Sequence, residues 1–384
     1  MNKMKTIHII TGLKLGGAET SLLKLLTYCE LDNKSQIVIS LTTNKSLISE
    51  KIELLGVKVI WLKFNNIFSI IKSFIKLIFI IREFKPEVIQ GWMYHANILA
   101  YISSLFIYKK NNRLIWNIRH TLNSFDSEKL TTLWIVKLSA LLSNRVDMIV
   151  YNSKESRKSH LKHYFSSGNS MVIHNGFVRI SKDNVNKMRY QIRNENWKVG
   201  NSMIVIGHLG RFHKIKGHIF FIKCMCNILK NFQNIKIVMA GNNVCKNNQD
   251  ITKNIPLQFI HNFILLDQIE KPIEFLSGLD IFCQTSFSEA FPNALTEAMS
   301  LGIFSIASNV GDTEHIMGDT EFIFKPNDAK GFIKSLNMAL RLPKEERESR
   351  GSLLRERVYK LFSIGTLCKK YNSLLNSSHK TQIP

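Results

Sequence analysis

The sequence is short of acid. It holds 29 aspartates and glutamates against 52 lysines and arginines, a formal charge of +23 with a pI near 9.7. That imbalance points to an anionic neighbour: nucleic acid, an acidic substrate or a membrane surface. There is no arginine-rich arm and no RRM, helix-turn-helix or zinc-finger signature, so nucleic acid is the weakest of the three. Cysteine is sparse. The six residues, at 29, 224, 226, 245, 283 and 368, are scattered and form no CxxC pair. They imply a reduced, cytosolic protein without a disulfide framework. No Asp-x-Asp pair occurs, no stretch is of low complexity and no internal repeat is visible. Long apolar runs are also missing. The longest uncharged stretch, Val88 to Tyr108, contains Gln90, Gly91, His95 and Asn97 and reads as a strand plus a helix. The N-terminal run Ile7 to Ile10 is too short for a signal sequence, and no transmembrane helix is expected.

What is present is enough for two full cores: 384 residues, 45% of them hydrophobic. Short apolar strands alternate with helical patterns, the sign of parallel sheets covered on both faces. In the first half, strands are expected at 5–11, 36–42, 57–62, 87–91, 113–118, 147–151 and 171–174. Helices are expected at 17–30, 46–55, 66–85, 94–108, 128–143 and 153–165. A second series begins at Met203, with strands near 203–208, 235–240, 280–284, 303–307 and 321–324. The polar stretch between the two series breaks the rhythm. The expected organisation is a domain over 1–178, a linker over 179–200, a domain over 201–364, and a C-terminal helix and tail over 365–384 that packs back towards the first domain. Ligands of such sheets bind at the carboxyl ends of the strands.

The most informative segment is Glu289-Ala-Phe-Pro-Asn-Ala-Leu-Thr-Glu297. Pro292 suits the first helical position, and Ala294, Leu295, Ala298 and Met299 continue a helix that stops at Gly302. The first turn of that helix offers N–H groups and the positive end of its dipole to an anion. Glu289 precedes the helix and Glu297 lies roughly one to two turns into it. A nucleoside diphosphate sugar matches this layout, with a diphosphate in the middle and a polyol at each end. Two solvated glutamates on an amphipathic helix would give the same spacing. A second cluster, Gly210-Arg211-Phe212-His213-Lys214-Ile215-Lys216-Gly217, puts Arg211 and Lys216 on the loop after a strand, where two cations can clamp a diphosphate leaving group. A solvated basic loop is the bland alternative. After the first strand, Gly16-Gly17-Ala18-Glu19 opens a helix without being a GxGxxG or P-loop motif.

Together these pieces resemble family 4 of the nucleotide-sugar glycosyltransferases, over nearly the whole chain. The resemblance rests on Gly16-Gly17-Ala18-Glu19, Gly210-Arg211 with Lys216-Gly217, Val172-Ile173-His174-Asn175-Gly176, the Glu-x7-Glu segment from Glu289 to Glu297, and Asn309-Val310-Gly311. It implies an α/β chain of the GT-B fold: two Rossmann-like, doubly wound parallel-sheet domains facing an interdomain cleft. It also implies roles. Arg211 and Lys216 would hold the donor diphosphate, with Gly16 and Gly17 approaching it from the other domain. Glu297 would hold the ribose. Glu289 and the backbone around Phe291, Pro292, Asn293, Ala294 and Leu295 would face the donor sugar. His120, after Trp116-Asn117-Ile118-Arg119, resembles the family's first-domain histidine near that sugar, and His95 and Arg119 fall on the acceptor side. The catalytic set is then His120, Glu289, Arg211 and Lys216, with retention of anomeric configuration, no cofactor and no metal. Ala290, Phe304 and Val178 depart from the commoner residues at their positions, which bears on the donor sugar rather than on the reaction class.

The expected helix at 66–85 has polar residues only at 69, 72, 73 and 76 in its central part, a wider apolar face than one sheet contact requires. With Lys72, Lys76 and Arg82 it reads as contact with an anionic membrane or as a deeply buried helix. The leading expectation is a cytoplasmic enzyme, peripheral on the inner face of the cell membrane, that takes a UDP-type sugar to a lipid-linked or oligosaccharide acceptor in surface polysaccharide assembly and does not bind nucleic acid. A GT-B epimerase and a non-enzymatic basic nucleic-acid-binding protein are the alternatives.

Overall fold

A computed structural model describes residues 3–14, 16–42, 45–64, 66–106, 112–123, 130–200, 202–318 and 321–376. Leu15, Thr43, 107–108, 128–129 and the tail 377–384, on which some expectations fall, lie outside them. The chain divides into two compact units, one formed by residues 1–176 with 364–384 and the other by 177–363.

The first unit carries a seven-stranded, wholly parallel sheet in the order β3-β2-β1-β4-β5-β6-β7. Its strands are β1 (Thr6–Ile10), β2 (Gln36–Ser40), β3 (Lys58–Trp61), β4 (Val88–Trp92), β5 (Arg113–Ile118), β6 (Met148–Tyr151) and β7 (Ser170–Val172). Successive side chains point to opposite faces. Ile7, Ile9, Ile39 and Trp116 therefore join one core, and Ile10, Val38 and Ile115 join another. The first core is covered by α3 (Ile67–Phe84), α4 (Tyr94–Ser104) and α5 (Leu130–Leu142). The second is covered by α1 (Gly17–Tyr28) and α2 (Leu47–Leu54), while α6 (Lys154–Lys162) follows β6. Helix α3 starts at a capping box, with the Asn66 side chain accepting from Ser69 N–H and the Ser69 hydroxyl accepting from Asn66 N–H, both at 2.9 Å. It ends at Lys85, in the left-handed region, directly before Pro86.

The second unit repeats the architecture with six parallel strands in the order β10-β9-β8-β11-β12-β13. These are β8 (Ile204–Leu209), β9 (Ile235–Ala240), β10 (Phe263–Leu266), β11 (Ile281–Gln284), β12 (Phe304–Ser308) and β13 (Ile323–Phe324). The helices are α7 (Lys182–Gln191), α8 (His218–Ile228), α9 (Gln249–Thr252), α10 (Pro272–Ser277), α11 (Asn293–Ser300), α12 (Thr313–Met317), α13 (Ala329–Arg341) and α14 (Lys344–Phe362). Strand β10 was not anticipated, because four apolar residues after a polar turn carry no periodicity.

The stretch read as a linker is part of this unit. Helix α7 runs into a π-helical turn, Ile192–Trp197, and the Trp197 ring meets Phe275 edge-on at 5.6 Å. Arg189 and Arg193 both pair with Asp280, whose carboxylate also accepts Val205 N–H at 2.7 Å. Burial alone would raise the Asp280 pKa, but the two guanidinium groups and that N–H outweigh it and hold it low. Two of its polar residues, Arg189 and Arg193, thus tie the stretch to β11, while most of the others face solvent.

The last helix, α15 (Ile364–Asn376), belongs to the first unit and packs beside α1. Tyr371 donates to Asn117 Oδ1 at 2.6 Å, and Arg113 donates to the Leu375 carbonyl at 3.1 Å. Here one expectation is corrected: Cys29 on the end of α1 and Cys368 on α15, 339 residues apart, lie 4.7 Å apart at Cα and are joined in a disulfide. Scatter along the sequence carries no information on proximity once a C-terminal helix returns to the first unit. Cys224, Cys226 and Cys283 are buried and free. No helix among the described residues is long and apolar enough to cross a membrane.

Candidate active site

The strongest cluster of predicted residues lies in the second unit, at the carboxyl ends of β8, β11 and β12. After β8 the chain forms a loop and a 3-10 turn, Lys214–Lys216, and reaches α8 through Gly217. Gly217 sits at φ +69°, and a Cβ there would lie 2.1 Å from the Thr285 carbonyl oxygen. Only glycine lets the β8 loop approach the β11 loop this closely. Phe287 N–H then donates to the Ile215 carbonyl at 2.7 Å, locking the two loops together.

That contact brings Lys216 to Glu289. The Lys216 ammonium donates to Glu289 Oε1 at 2.6 Å, and the Ser286 hydroxyl donates to the same oxygen at 2.8 Å. The Lys216 side chain is 25% exposed and that of Glu289 14% exposed, so the pair is largely withdrawn from water. Removing one partner would leave the other as a poorly solvated charge. Arg211 stands exposed on the same loop.

Two histidines brace the loop from below. His208, on β8, donates from Nε2 to the Lys216 carbonyl at 3.1 Å, and His218, at the start of α8, donates from Nε2 to the Gly210 carbonyl at 2.9 Å. Burial, then mutual repulsion, hold the His208 pKa well below its ordinary value; burial chiefly lowers His218 to about 4. Both rings are therefore neutral with the proton on Nε2 at physiological pH. Sequence reading missed this brace, since buried histidines give no spacing signal.

Glu289 opens the segment that becomes α11. Pro292 occupies the N-cap rather than the first helical position, and no side chain caps the helix. Leu295, Ala298 and Met299 are buried, and the chain turns at Gly302 with φ +82°. Phe291 is buried among Phe177 and Phe362, so its backbone rather than its ring faces outward. Asn293 and Ala294 are half-buried in the first turn. Glu297, also half-buried, lies about 6 Å of helical rise beyond Asn293. The loop after β12 supports the segment: Asp312 N–H donates to the Ala290 carbonyl at 3.2 Å. Ser308 also donates to the Ser286 carbonyl at 2.6 Å. Gly311, at φ +58°, leaves room where a Cβ would be 2.4 Å from the Ala290 oxygen.

In the first unit the predicted residues fall at the carboxyl ends of β1, β4 and β5, but differently. Gly16 caps α1 in an extended conformation, and a Cβ on it would lie 2.4 Å from Glu19 Oε2. The Glu19 carboxylate thus occupies the helix N-terminus that Gly16 and Gly17 were expected to offer to phosphate. Burial raises the Glu19 pKa, countered by its own N–H and by Arg119. Arg119 is tied into the fold: it donates to Ser21 Oγ at 2.9 Å and to Asn175 Oδ1, and its guanidinium lies 5.1 Å from the Trp92 ring. His120 is half-buried just after β5, and His95 is exposed in the first turn of α4. Among the described residues, no three His, Cys, Asp or Glu side chains gather as a metal site.

Comparison with known proteins follows this geometry. Residues 191–355 match the family model of glycosyl transferases group 1, and residues 15–178 match that of glycosyltransferase family 4. The chain is 26% identical to the uncharacterized glycosyltransferase MJ1059 of Methanocaldococcus jannaschii over 63% of its own length and 60% of that protein. It is 25% identical to the capsular polysaccharide biosynthesis glycosyltransferase CapM of Staphylococcus aureus, over 81% of its own length and 82% of CapM. Among solved structures, Anabaena Alr3699/HepE in complex with UDP-glucose superposes with a TM-score of 0.79 at 18% identity, over 96% of this chain and 99% of that one.

Proposed function

The chain belongs to the group 1 and family 4 glycosyltransferases, of GT-B fold, and from that premise we propose that it moves a sugar from a UDP-sugar to a lipid-linked glycan in surface polysaccharide assembly. The family match sets aside the reading as a non-enzymatic basic protein. The observation that carries the proposal is the Lys216–Glu289 pair beside the N-terminus of α11. The polysaccharide assignment draws support from CapM, and the UDP assignment from the Anabaena structure.

In this reading the diphosphate sits at the α11 N-terminus, where the helix dipole and the ammonium of Lys216 offset its charge, with Arg211 reaching it from the same loop. Glu297 accepts from the ribose hydroxyls. Glu289, held by Lys216 and Ser286, accepts from hydroxyls of the donor sugar, and the backbone of Phe291 to Ala294 lines that subsite. In the first unit His120 remains the candidate catalytic histidine and His95 the acceptor-side candidate. Transfer proceeds with retention. The bond from the anomeric carbon to the phosphate oxygen breaks, the acceptor oxygen bonds to the same face, and the acceptor proton passes to the departing phosphate. Lys216 stabilises the charge that develops on that phosphate, so no metal is needed.

A calorimetric titration with UDP, GDP, dTDP and NAD in EDTA, on the wild type and on Lys216→Ala, tests the reading. UDP should bind without metal, and Lys216→Ala should weaken it by about 100-fold or more. Binding that survives the substitution unchanged, or no binding of any nucleotide, sinks it.

A further inference from the structure

The outer surface of α3 and α5 is the least water-compatible part of the first unit. On α3, Phe68, Ile71, Ile75 and Phe79 are exposed, Phe68 by 86% and Phe79 by 67%. Their steps of three, four and four residues place them on one side of the helix. On α5, Leu130, Trp134, Leu138 and Leu141 follow steps of four, four and three, with Trp134 exposed by 72%. The opposite sides of both helices, through Leu77, Ile81 and Val136, enter one core on one face of the sheet together with Ala96 and Leu99 of α4. The two stripes therefore look outward from the same helical layer. Helix α4 lies between them: Phe74 of α3 meets Phe106 edge-on at 5.8 Å, and Arg145, just past α5, donates to the Tyr101 hydroxyl at 3.3 Å. Ile102 and Leu105 add exposed apolar area there. Single exposed apolar residues are ordinary, but two aligned stripes on helices of one layer, with further exposed apolar residues between them, are not.

We propose that the paired stripes of α3 and α5 seat the first unit in the headgroup region of an anionic lipid bilayer, with Trp134 as the interfacial anchor. The inference rests on the lipid-linked acceptor of the proposed function. Charge selects the occupant. Lys72 and Lys76 are exposed on α3 and Lys137 on α5, its ammonium 5.6 Å from the Trp134 ring; with Arg82, they face a single acid, Glu83, on the two helices. A second copy of the chain would bring the same cations against themselves across a two-fold contact. An anionic bilayer pairs with the ammonium groups while the apolar stripes sink about 5–10 Å, to the acyl boundary. Lysine stems suit this depth, their methylenes lying along the apolar stripe and their charges among the headgroups.

The full chain is tested on vesicles of phosphatidylcholine alone and with roughly one-third phosphatidylglycerol at low salt, where surface electrostatics is least screened. Trp134 is the exposed member of five tryptophans, so quenching by brominated acyl chains, corrected with Trp134→Phe, reads the depth of α5 itself. The expected result is co-sedimentation with the anionic vesicles, quenching of Trp134, and at least about a tenfold loss of binding in the Ile75→Ser/Trp134→Ser variant. Lys72→Glu/Lys76→Glu should abolish the preference for anionic lipid. No sedimentation at low salt, sedimentation with Trp134 unquenched, or equal binding by the variants overturns the proposal. So does a dimer in the free protein that Ile75→Ser/Trp134→Ser dissolves, which would assign the face to a second copy. UDP titration of the same variants separates the two readings. Intact UDP binding without vesicle binding removes this surface alone, whereas vesicle binding without UDP binding removes the donor assignment.

Discussion

The two units share one strand order and put polar residues at the same sheet edge, yet they use them in opposite ways. In the first unit Arg119 is spent on Ser21, Asn175 and the Trp92 ring, and Tyr371 of α15 closes on Asn117. In the second unit the charged groups of Lys216 and Glu289 pair with each other, and Ser286 donates to the same carboxylate oxygen, on loops that close glycine contacts hold together. An ammonium paired with one carboxylate keeps further N–H donors that a phosphate can accept. A guanidinium locked among buried side chains cannot offer its own without opening the fold. Topology thus supplies a place for a ligand, and the degree of internal satisfaction decides whether the place remains usable.

The largest expected effect comes from closing the second unit's loop contact. Gly217→Ala must displace the Thr285 carbonyl and holds alanine at positive φ, so it should cost about 3 kcal/mol of unfolding free energy and abolish UDP binding. Chemical denaturation alongside calorimetry measures both, and a variant of wild-type stability that still binds UDP would contradict the loop argument. Next is Glu289→Gln, which keeps shape but not charge. It should lower kcat by about 100-fold while leaving UDP affinity within a few-fold, because the sugar rather than the diphosphate loses its partner. Equal losses with UDP and UDP-sugar would place Glu289 on the diphosphate instead.

Acid should affect both units. Burial is the main cause lowering His8 and His218 to about 4 and His160 to about 3, and it holds His208 well below its ordinary value. Each is neutral when folded and takes up a proton on unfolding below its ordinary 6.5, so the stability it contributes is present above that pH and is lost as pH falls through the folded value. Urea titrations should show losses of up to roughly 2–3 kcal/mol per histidine between pH 6.5 and 4. UDP binding to the folded protein should hold over the same range, because His208 and His218 stay neutral there and keep their bonds to the Lys216 loop. The smallest effect separates the units. Tyr371→Phe leaves Asn117 Oδ1 without its hydroxyl donor, which should cost about 1–2 kcal/mol in the first unit and leave UDP affinity unchanged.

Much of this was legible beforehand. The seven strands of the first sheet and five of the six in the second fall within a residue or two of the expected positions, because buried parallel strands are short apolar runs between polar turns. Helix α3 began and ended where Asn66, Ser69 and Pro86 require. Glu289, Lys216 and the α11 turn were legible because each combines a residue type with a fixed offset. Strand β10, the histidine brace and the role of Asp280 were not, since a four-residue strand has no period and a buried polar group is defined by partners distant in sequence. The stripe on α3 was visible as excess apolar width; that on α5 was not, because Leu130–Leu142 is apolar nearly all round and only packing shows which side the sheet takes.

The sequence by itself determined the alternation of strands and helices and the positions of the glycines, because these follow from local sterics and from periodicity. Tertiary structure decided which charges meet, that Cys29 reaches Cys368, and that 182–197 packs into the second unit through Val185, Arg193 and Trp197 rather than standing apart as a linker. Those are matters of distance between residues far apart along the chain, which only the packing of helices on the two sheets brings together.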